Sequence, residues 1–545
     1  MTSYTLTVLD TPGIQRYIFG SNRLRENIGA SELVHCATSQ WPLERMVEEY
    51  DDPHGPGRKK LNTNVHKDVT DGLDPDKRIE CDPTLDAEII YIGGGNVVTL
   101  FREKQNALDF VARLHAQIIQ EAPGLGLAAI HLSIEWEKDD LGQQVNAAMQ
   151  QLAQQHRATP LTSPLLGLSV TAECQSTGLV ATGDSTQHPH PPAERPYLIS
   201  SEVAAKLEMV ETAQTRLHHL FSDAFQNARY DFPRNFDELG RSKHEMSYIA
   251  VVHVDGNRMG RFFRDFGRLC PDPRAYIDAV RNASQQIKQA SRSALQKLGN
   301  LLLATITHRG RDWYVQDNVP VRDWKLPFRP LVFGGDDTTF VCDGRLGLTL
   351  AVAYLEAFED ATQGLEIRQR YACAGIAVVK SHYPFARAYA LSQELTKNAK
   401  KHAYATPVGD AEGLSALDWH FAMGGLSGSL SEIREREYRV ASGTLVSRPL
   451  RLRDHANEWR TWPKFAKAVE SFQQEWSEKR NKLVSFRQLL REGPEAMQSF
   501  LEAYRRSTPA LDETTLDFLE HGWHGEICGY FDALEALDFY VALEG

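Results

Sequence analysis

A strand ending in an aspartate occurs twice in this chain, and each copy opens the same succession of elements. Residues 4–10, YTLTVLD, gather β-favouring residues up to Asp10, and residues 248–255, YIAVVHVD, do so up to Asp255. In the first copy a strand, glycine turn and strand follow at 88–100, EIIYIGGGNVVTL, with a third strand signal at 127–134, LAAIHLSI. In the second copy the hairpin is PLVFGGDDTTFVC at 330–342, and the third strand is YACAGIAVV at 371–379. Asp10 and Asp255 lie 245 residues apart, Gly95 and Asp336 241, and Ile130 and Ile376 246. Near-constant offsets over three elements point to a duplicated domain. Helical periodicity fills the gaps, as in 106–119 and 143–154, so each copy reads as an α/β (α+β) unit.

The rest of the chain is divided around these copies. At 545 residues, two to four domains are expected, because one core rarely extends beyond about 250–300 residues. The expected boundaries are 1–165 for the first copy, 166–245 for a helical connector with a proline-rich loop at 182–196, 246–425 for the second copy, and 426–545 for a helical C-terminal domain. Residues 197–229 read as a long helix with Ser200 or Ser201 as N-cap, and 231–247 as a loop leading into the second copy. Residues 304–330 read either as a β-excursion or as a partner-facing loop. Helical patterns cover 462–474, 478–491, 494–506 and 511–519.

The formal net charge of -12 gives no bulk attraction to a nucleic acid backbone, although metal ions at a site can invert the local field. None of the seven cysteines forms a CxxC pair, which argues against a zinc knuckle and fits a reducing cytoplasm. No signal peptide and no membrane span are expected.

The two hairpin tips differ in chemistry. The first is Gly93-Gly94-Gly95-Asn96 and the second Gly334-Gly335-Asp336-Asp337. If the strand end at Asp255 lies beside the second tip, three carboxylates converge. Such hard oxygen donors suit Mg²⁺ or Mn²⁺ and two-metal nucleotidyl transfer. The first copy keeps Asp10 but lacks hairpin acids, so it is not expected to catalyse. After Asp255, the glycines of GNRMG allow a tight strand-to-helix turn. Backbone N–H groups near Gly256 and Asn257 are candidates to cradle a triphosphate. His253 shares a strand face with Asp255 and is given no catalytic role. The helix pattern 385–402 ends in basic residues, and Lys397 and Lys400, three apart, are candidates to reach a phosphate.

At this point a resemblance carries further. PGIQRYIFGSNRLRENIGASELV at 12–34 resembles the N-terminal signature of the Cas10 family, the large subunit of type III CRISPR effector complexes, especially its Cmr2 branch. PFRPLVFGGDD at 327–337 resembles that family's second palm motif, 374–401 is similar to its downstream strand and helix, and so is SALDWHF at 415–421. The resemblance implies two ferredoxin-like palm domains of the polymerase and cyclase type, packed face to face. It implies conversion of ATP to 3′–5′ cyclic oligoadenylates with Mg²⁺ or Mn²⁺ in antiviral defence. By that resemblance Asp255, Asp336 and Asp337 are the catalytic, metal-binding positions, and Gly334 and Gly335 form the nucleotide-proximal turn. Either Lys397 or Lys400 lies near the triphosphate. Ser21, Asn22 and Arg25 are nominated for nucleotide contact, with the first copy helping to hold the nucleotide that donates the 3′-hydroxyl. CRISPR effector subunits with crRNA and target RNA are the implied partners, and the helical C-terminal domain would dock a neighbouring small subunit. Self-assembly of a stand-alone enzyme is the other arrangement. The chain departs from the family in lacking an HD nuclease pair and a cysteine zinc module, so no metal-dependent DNase is expected. Another palm cyclase or polymerase, or a silent scaffold subunit, remains the alternative reading.

Overall fold

The computed structural model describes residues 2–66, 72–158, 167, 170–188, 196–225, 229–239, 247–365, 369–405, 414–424, 428–454, 458–476, 480–504 and 520–543. Part of the proline-rich loop and the whole helical pattern at 511–519 lie outside the described residues.

The first palm runs β1 (Ser3–Asp10), α1 (Ile14–Phe19), α2 (Leu24–His35), β2 (Ala87–Gly93), β3 (Asn96–Phe101), α3 (Lys104–Glu121), β4 (Ala128–Glu135) and α4 (Leu141–Ala158). Its sheet is antiparallel with order β2-β3-β1-β4. That is the ferredoxin-like arrangement, with the aspartate-ended strand between the hairpin and the last strand.

Among its described residues the connector carries three α-helices, α5 (Ser201–Glu208), α6 (Val210–Leu220) and the single turn Ser222–Phe225, where the periodicity indicates one. Ser200 caps α5, its Oγ accepting from Val203 N at 3.4 Å.

The second palm repeats the order. It runs β5 (Tyr248–Gly256), α7 (Met259–Leu269), α8 (Pro273–Ala304), β6 (Ile306–Arg309), β7 (Asp312–Val315), β8 (Val319–Val321), β9 (Phe328–Val332), β10 (Asp337–Asp343), α9 (Gly347–Thr362), β11 (Ala372–Lys380) and α10 (Phe385–Ala405). Its main sheet has order β9-β10-β5-β11, extended by β12 (Ala416–Ala422), parallel to β11, and by the short β15 (Leu450–Arg451). Residues 306–321 form a separate three-stranded sheet, so this stretch is a β-excursion.

The duplication holds to the residue. Asp10 faces Asn96 across β1 and β3, and Asp255 faces Asp337 across β5 and β10.

β5 is a central strand because nearly every side chain in YIAVVHVDG is buried, on both faces. Ala250, Val252 and Val254 enter one core with α8, α9 and the C-terminal region. Ile249 and Val251 enter another, which they share with first-palm residues such as Leu9, Leu24 and Ile28. Each fully buried valine or isoleucine among them contributes about 1.5–3 kcal/mol. The same strand that carries Asp255 therefore also joins the two palms.

Two further contacts set the palms in register. α4 and α7 cross where Gly142 meets Gly267, so closely that a Cβ on Gly142 would fall 2.2 Å from Gly267 Cα. α8, about 48 Å long, is capped by Asp272, whose carboxylate accepts from Ala275 N at 2.8 Å, with Pro273 in the first turn. From this helix Arg274 reaches both Glu80 and Glu88, while Arg281 donates to Glu88 Oε1 at 2.7 Å and to the carbonyls of Ile89 and Ile90 in β2. Burial pushes the Glu88 carboxyl up, but the Arg274 and Arg281 guanidiniums outweigh it and hold it below its ordinary value.

Beyond the second palm come α11 (Leu430–Tyr438), β13 (Arg439–Val440), β14 (Gly443–Thr444), α12 (Trp462–Trp476), α13 (Arg480–Glu492), α14 (Pro494–Tyr504), β16 (Trp523–His524) and β17 (Ile527–Cys528). α12, α13 and α14 occupy the periodic segments 462–474, 478–491 and 494–506. A small sheet of order β13-β14-β17-β16 corrects the purely helical expectation. Its two-residue strands are too short to show alternation in the sequence. Among the described residues no helix is long and apolar enough to cross a membrane.

Candidate active site

The site is built at one end of the second sheet. Strand β5 delivers Asp255 and the β9–β10 hairpin delivers Asp336 and Asp337. The antiparallel register sets Asp337 directly across from Asp255. Gly256 makes the third approach possible. Its N–H donates to the Asp336 carbonyl at 3.2 Å, and a Cβ there would lie 3.0 Å from Asp336 Cβ. At the tip, Gly334 has φ +113, a left-handed conformation that favours glycine, and a Cβ on Gly334 or Gly335 would meet nothing within 4 Å. The hairpin thus borders open space on its glycine side.

Like charges crowd here. Burial raises the Asp336 carboxyl, and the neighbouring Asp255 and Asp337 raise it further, to about 6. Asp337 Oδ1 is buried without a well-formed hydrogen bond and lies 3.3 Å from His253 Nδ1. His253 is itself buried, 3.3 Å from Thr339 Oγ1 and edge-on to the Tyr389 ring, which fits a packing role beneath the carboxylates. Behind β10, Thr338, Tyr354 and Ser291 form a closed hydroxyl network at 2.8–3.2 Å.

Lys400 is the basic residue that meets the acids. Its Nζ donates to Asp255 Oδ2 and to the Gly256 carbonyl, both at 2.7 Å. Lys397 is exposed on α10 and makes no such contact. Three residues of helix leave the two side chains about 60° apart on one face and about 4.5 Å apart along the axis, so Lys400, one turn nearer the end of α10, reaches the sheet end while Lys397 stays in solvent.

Other nominated residues are placed elsewhere. The N–H groups of Gly256 and Asn257 are spent on the carbonyls of Asp336 and Tyr371, so they do not form a phosphate cradle. The Asn257 side chain is buried and donates to the Leu414 carbonyl at 3.3 Å, locking the turn. Asn22 Oδ1 accepts from Phe385 N at 2.8 Å, at the start of α10. That is the opposite end of the helix from Lys400, about 22 Å along its axis. Ser21 Oγ accepts from Arg23 N, and Arg25 is half-buried on α2. Ser21 and Asn22 are thus set apart from the carboxylates, and they fix the seam between α1 and α10.

Three residues that sequence reading missed stand near the acids. Arg258 adopts φ 53, uncommon for a side chain of this size, and lies over the Tyr404 ring at 4.5 Å. Tyr91, on β2 of the first palm, is pushed up by burial and by the Asp336 charge, which makes it a cross-palm neighbour of the hairpin. His156 Nδ1 lies 3.3 Å from Asp10 Oδ2. His156 precedes Lys400 by 244 residues, nearly the offset between the aspartates, so it is the first palm's counterpart of Lys400. Burial raises the Asp10 carboxyl, and His156 opposes that. Of these three, only His156 had a signal in the sequence, the repeat offset.

The carboxylates of Asp255, Asp336 and Asp337 are the residues that could hold a cation. Among the described residues, no three carboxylate, imidazole or thiol groups are drawn together as a ready-made metal cluster.

Residues 248–405 match the family model for Cas10/Cmr2, second palm domain. The chain carries the second palm of the Cas10/Cmr2 family. In this Cas10/Cmr2 palm the matched residues span all three carboxylates and Lys400. Two solved structures agree in fold. The Csm1–Csm4 cassette in complex with cA4 aligns over 98% of this chain and 69% of that chain, with TM-score 0.51 and 14% identity. The same cassette in complex with cA3 aligns over 99% and 70%, with TM-score 0.51 and 13% identity. At these identities the likeness is one of fold. No curated protein matches the chain.

Proposed function

We propose that this protein is a nucleotidyltransferase that joins ATP through 3′–5′ phosphodiester bonds and closes the product into cyclic oligoadenylates, in type III CRISPR-like antiviral defence. The observation that carries the reading is the placing of Asp255, Asp336 and Asp337 at one sheet end, with Asp337 across from Asp255, both charges raising the Asp336 carboxyl, and Lys400 bonded to Asp255. The fold relatives are described in complex with cA4 and cA3, and the proposal extends that ligand class to this chain.

The donor set fits Mg²⁺ or Mn²⁺. All three groups offer hard oxygens, Asp337 Oδ1 is buried without a hydrogen bond, and the like-charge crowding that raises Asp336 is of the kind a cation relieves. When bound, divalent ions lower the pKa of an attacking hydroxyl and stabilise a leaving pyrophosphate. The chain's own residues do the positioning. Lys400 fixes the Asp255 carboxylate and the Gly256 carbonyl, and its remaining proton is available to a phosphate oxygen. The unobstructed side of Gly334 and Gly335 leaves room for a nucleotide. The first palm, with Asn96 in place of an acid and His156 in place of the lysine, supports the second nucleotide without catalysing. Effector subunits with crRNA and target RNA are the proposed partners.

The test is product analysis. Purified protein, with and without partner complex, is incubated with each labelled NTP and Mg²⁺ or Mn²⁺, and products are identified by mass spectrometry. Cyclic adenylates from ATP are the expected result. Linear products alone, or another base, would redirect the reading to a different palm polymerase or cyclase.

A further inference from the structure

A second cleft, of about 680 Å³, lies between α4 of the first palm and α7 of the second. Its α7 wall carries Arg261, Arg264 and Arg268 on one helical stripe, while Phe262, Phe263 and Phe266 turn into the core. Its α4 wall carries Gln143, Asn146 and Gln150, again on one stripe. The Gly142–Gly267 crossing brings the two backbones into contact beside it. Only Ala147 and Gly267 among the lining residues lack a polar side chain.

We propose that this cleft binds a phosphate-bearing nucleotide ligand, separately from the carboxylate site. The charge balance is the first reason. In a chain of net charge -12, three guanidiniums share this cleft with one carboxylate, Asp265, which lies 3.6 Å from Arg261. Among the described residues Arg264 and Arg268 have no ion-pair partner. Guanidinium forks match phosphate oxygens in geometry and charge. The second reason is the facing wall. A solvated basic helix face needs no opposite wall, but here carboxamides stand across from the arginines. They offer donors and acceptors in fixed planes, the chemistry that reads base edges. The third reason is size and polarity. The volume is within the range of about 300–1,000 Å³ typical of small-ligand sites, and the scarcity of apolar lining disfavours a lipid or an apolar peptide.

The phosphate could belong to a nucleoside triphosphate or to a short oligonucleotide. Calorimetric titration of the full chain in EDTA at low ionic strength separates these sources and takes divalent-dependent binding at the carboxylate site out of the readout. The probes are inorganic tripolyphosphate, ATP and a 5′-phosphorylated tetrauridylate. ATP or the tetranucleotide is expected to bind at one equivalent with an affinity that falls with salt. Whichever binds identifies the source. The R264Q/R268Q variant, altered at exposed positions only, is expected to bind at least about tenfold more weakly. Q143A/N146A is expected to weaken the nucleotide and leave tripolyphosphate unchanged. No binding of any probe to the wild type, or equal binding by R264Q/R268Q, would overturn the proposal, and binding of tripolyphosphate alone would overturn its nucleotide part. Without divalent ions, none of these outcomes bears on catalysis by the aspartates.

Discussion

The ammonium of Lys400 stands 2.7 Å from Oδ2 of Asp255, so the end of α10 and the end of β5 are tied by a charge-assisted bond. The pair is partly exposed, and its value lies in position more than in stability. Lys400→Ala is expected to lower kcat/KM for ATP by about 100-fold, on the order of 3 kcal/mol, with little change in Tm. Lys397→Ala is expected to match the wild type. Steady-state kinetics on the two variants separate a lysine at the site from a merely basic helix end. Equal losses would show that the helix charge, and not its register, matters.

Asp336 sets a pH dependence. Its folded carboxyl titrates near 6, above the ordinary value of 3.8, so ionisation is disfavoured by the fold. The sign follows. That cost is absent below about pH 4 and fully present above about pH 6. Divalent-free protein should therefore lose stability as pH rises through this window, by about 1–2 kcal/mol after allowance for solvent screening. Asp336→Asn should flatten that slope, as measured by denaturant unfolding in EDTA. Activity should move the other way. Protonation of Asp336 should weaken Mg²⁺ binding below about pH 6, and calorimetry should register proton release when Mg²⁺ is added near that pH.

Glu88 holds the palms together from a fully buried position, between Arg274 and Arg281. Glu88→Gln would leave the buried Arg281 guanidinium without its charge partner and Arg274 with Glu80 and Asp278 alone. A cost of about 3–5 kcal/mol is expected, read from the urea midpoint. An unchanged midpoint would show that the ion network adds nothing to the palm junction.

The glycine crossing gives an independent test of the same junction. Gly142→Ala places a methyl group 2.2 Å from Gly267 Cα. Backbone must shift to admit it, at about 1–3 kcal/mol. The expected outcome is a lowered Tm together with weakened ATP turnover, because α7 begins three residues beyond Gly256. A neutral Tm would contradict the close approach.

Much of the scaffold was legible because strands report themselves by composition. The β-branched runs at 4–10 and 248–255, with their shared offset, locate both sheets and the hairpin chemistry. Ferredoxin-like order follows once the aspartate-ended strand sits between the hairpin and the third strand. The site was only half legible. Asp255 and Asp337 meet through register, which the strand patterns encode. The choice of Lys400 over Lys397 depends on the rotation of α10 against the sheet, which spacing alone leaves open. Gly256 and Asn257 were misread because glycine signals a tight turn without saying which carbonyl takes each N–H. Ser21 and Asn22 belong to a motif whose role is packing against α10, and a polar residue's partner across 363 positions is invisible in sequence. Tyr91 approaches Asp336 only through the palm junction, so no local pattern marks it.

The most direct test of the central claim is pyrophosphate release from ATP in the presence of Mg²⁺ or Mn²⁺, with partner complex supplied, for the wild type, Asp255→Ala and Asp336→Ala/Asp337→Ala. The three carboxylates, acting together, require release by the wild type and a loss of about 100-fold or more in both variants, with folds retained by circular dichroism. No release by the wild type under any condition, or release by either variant at the wild-type rate, would contradict the account.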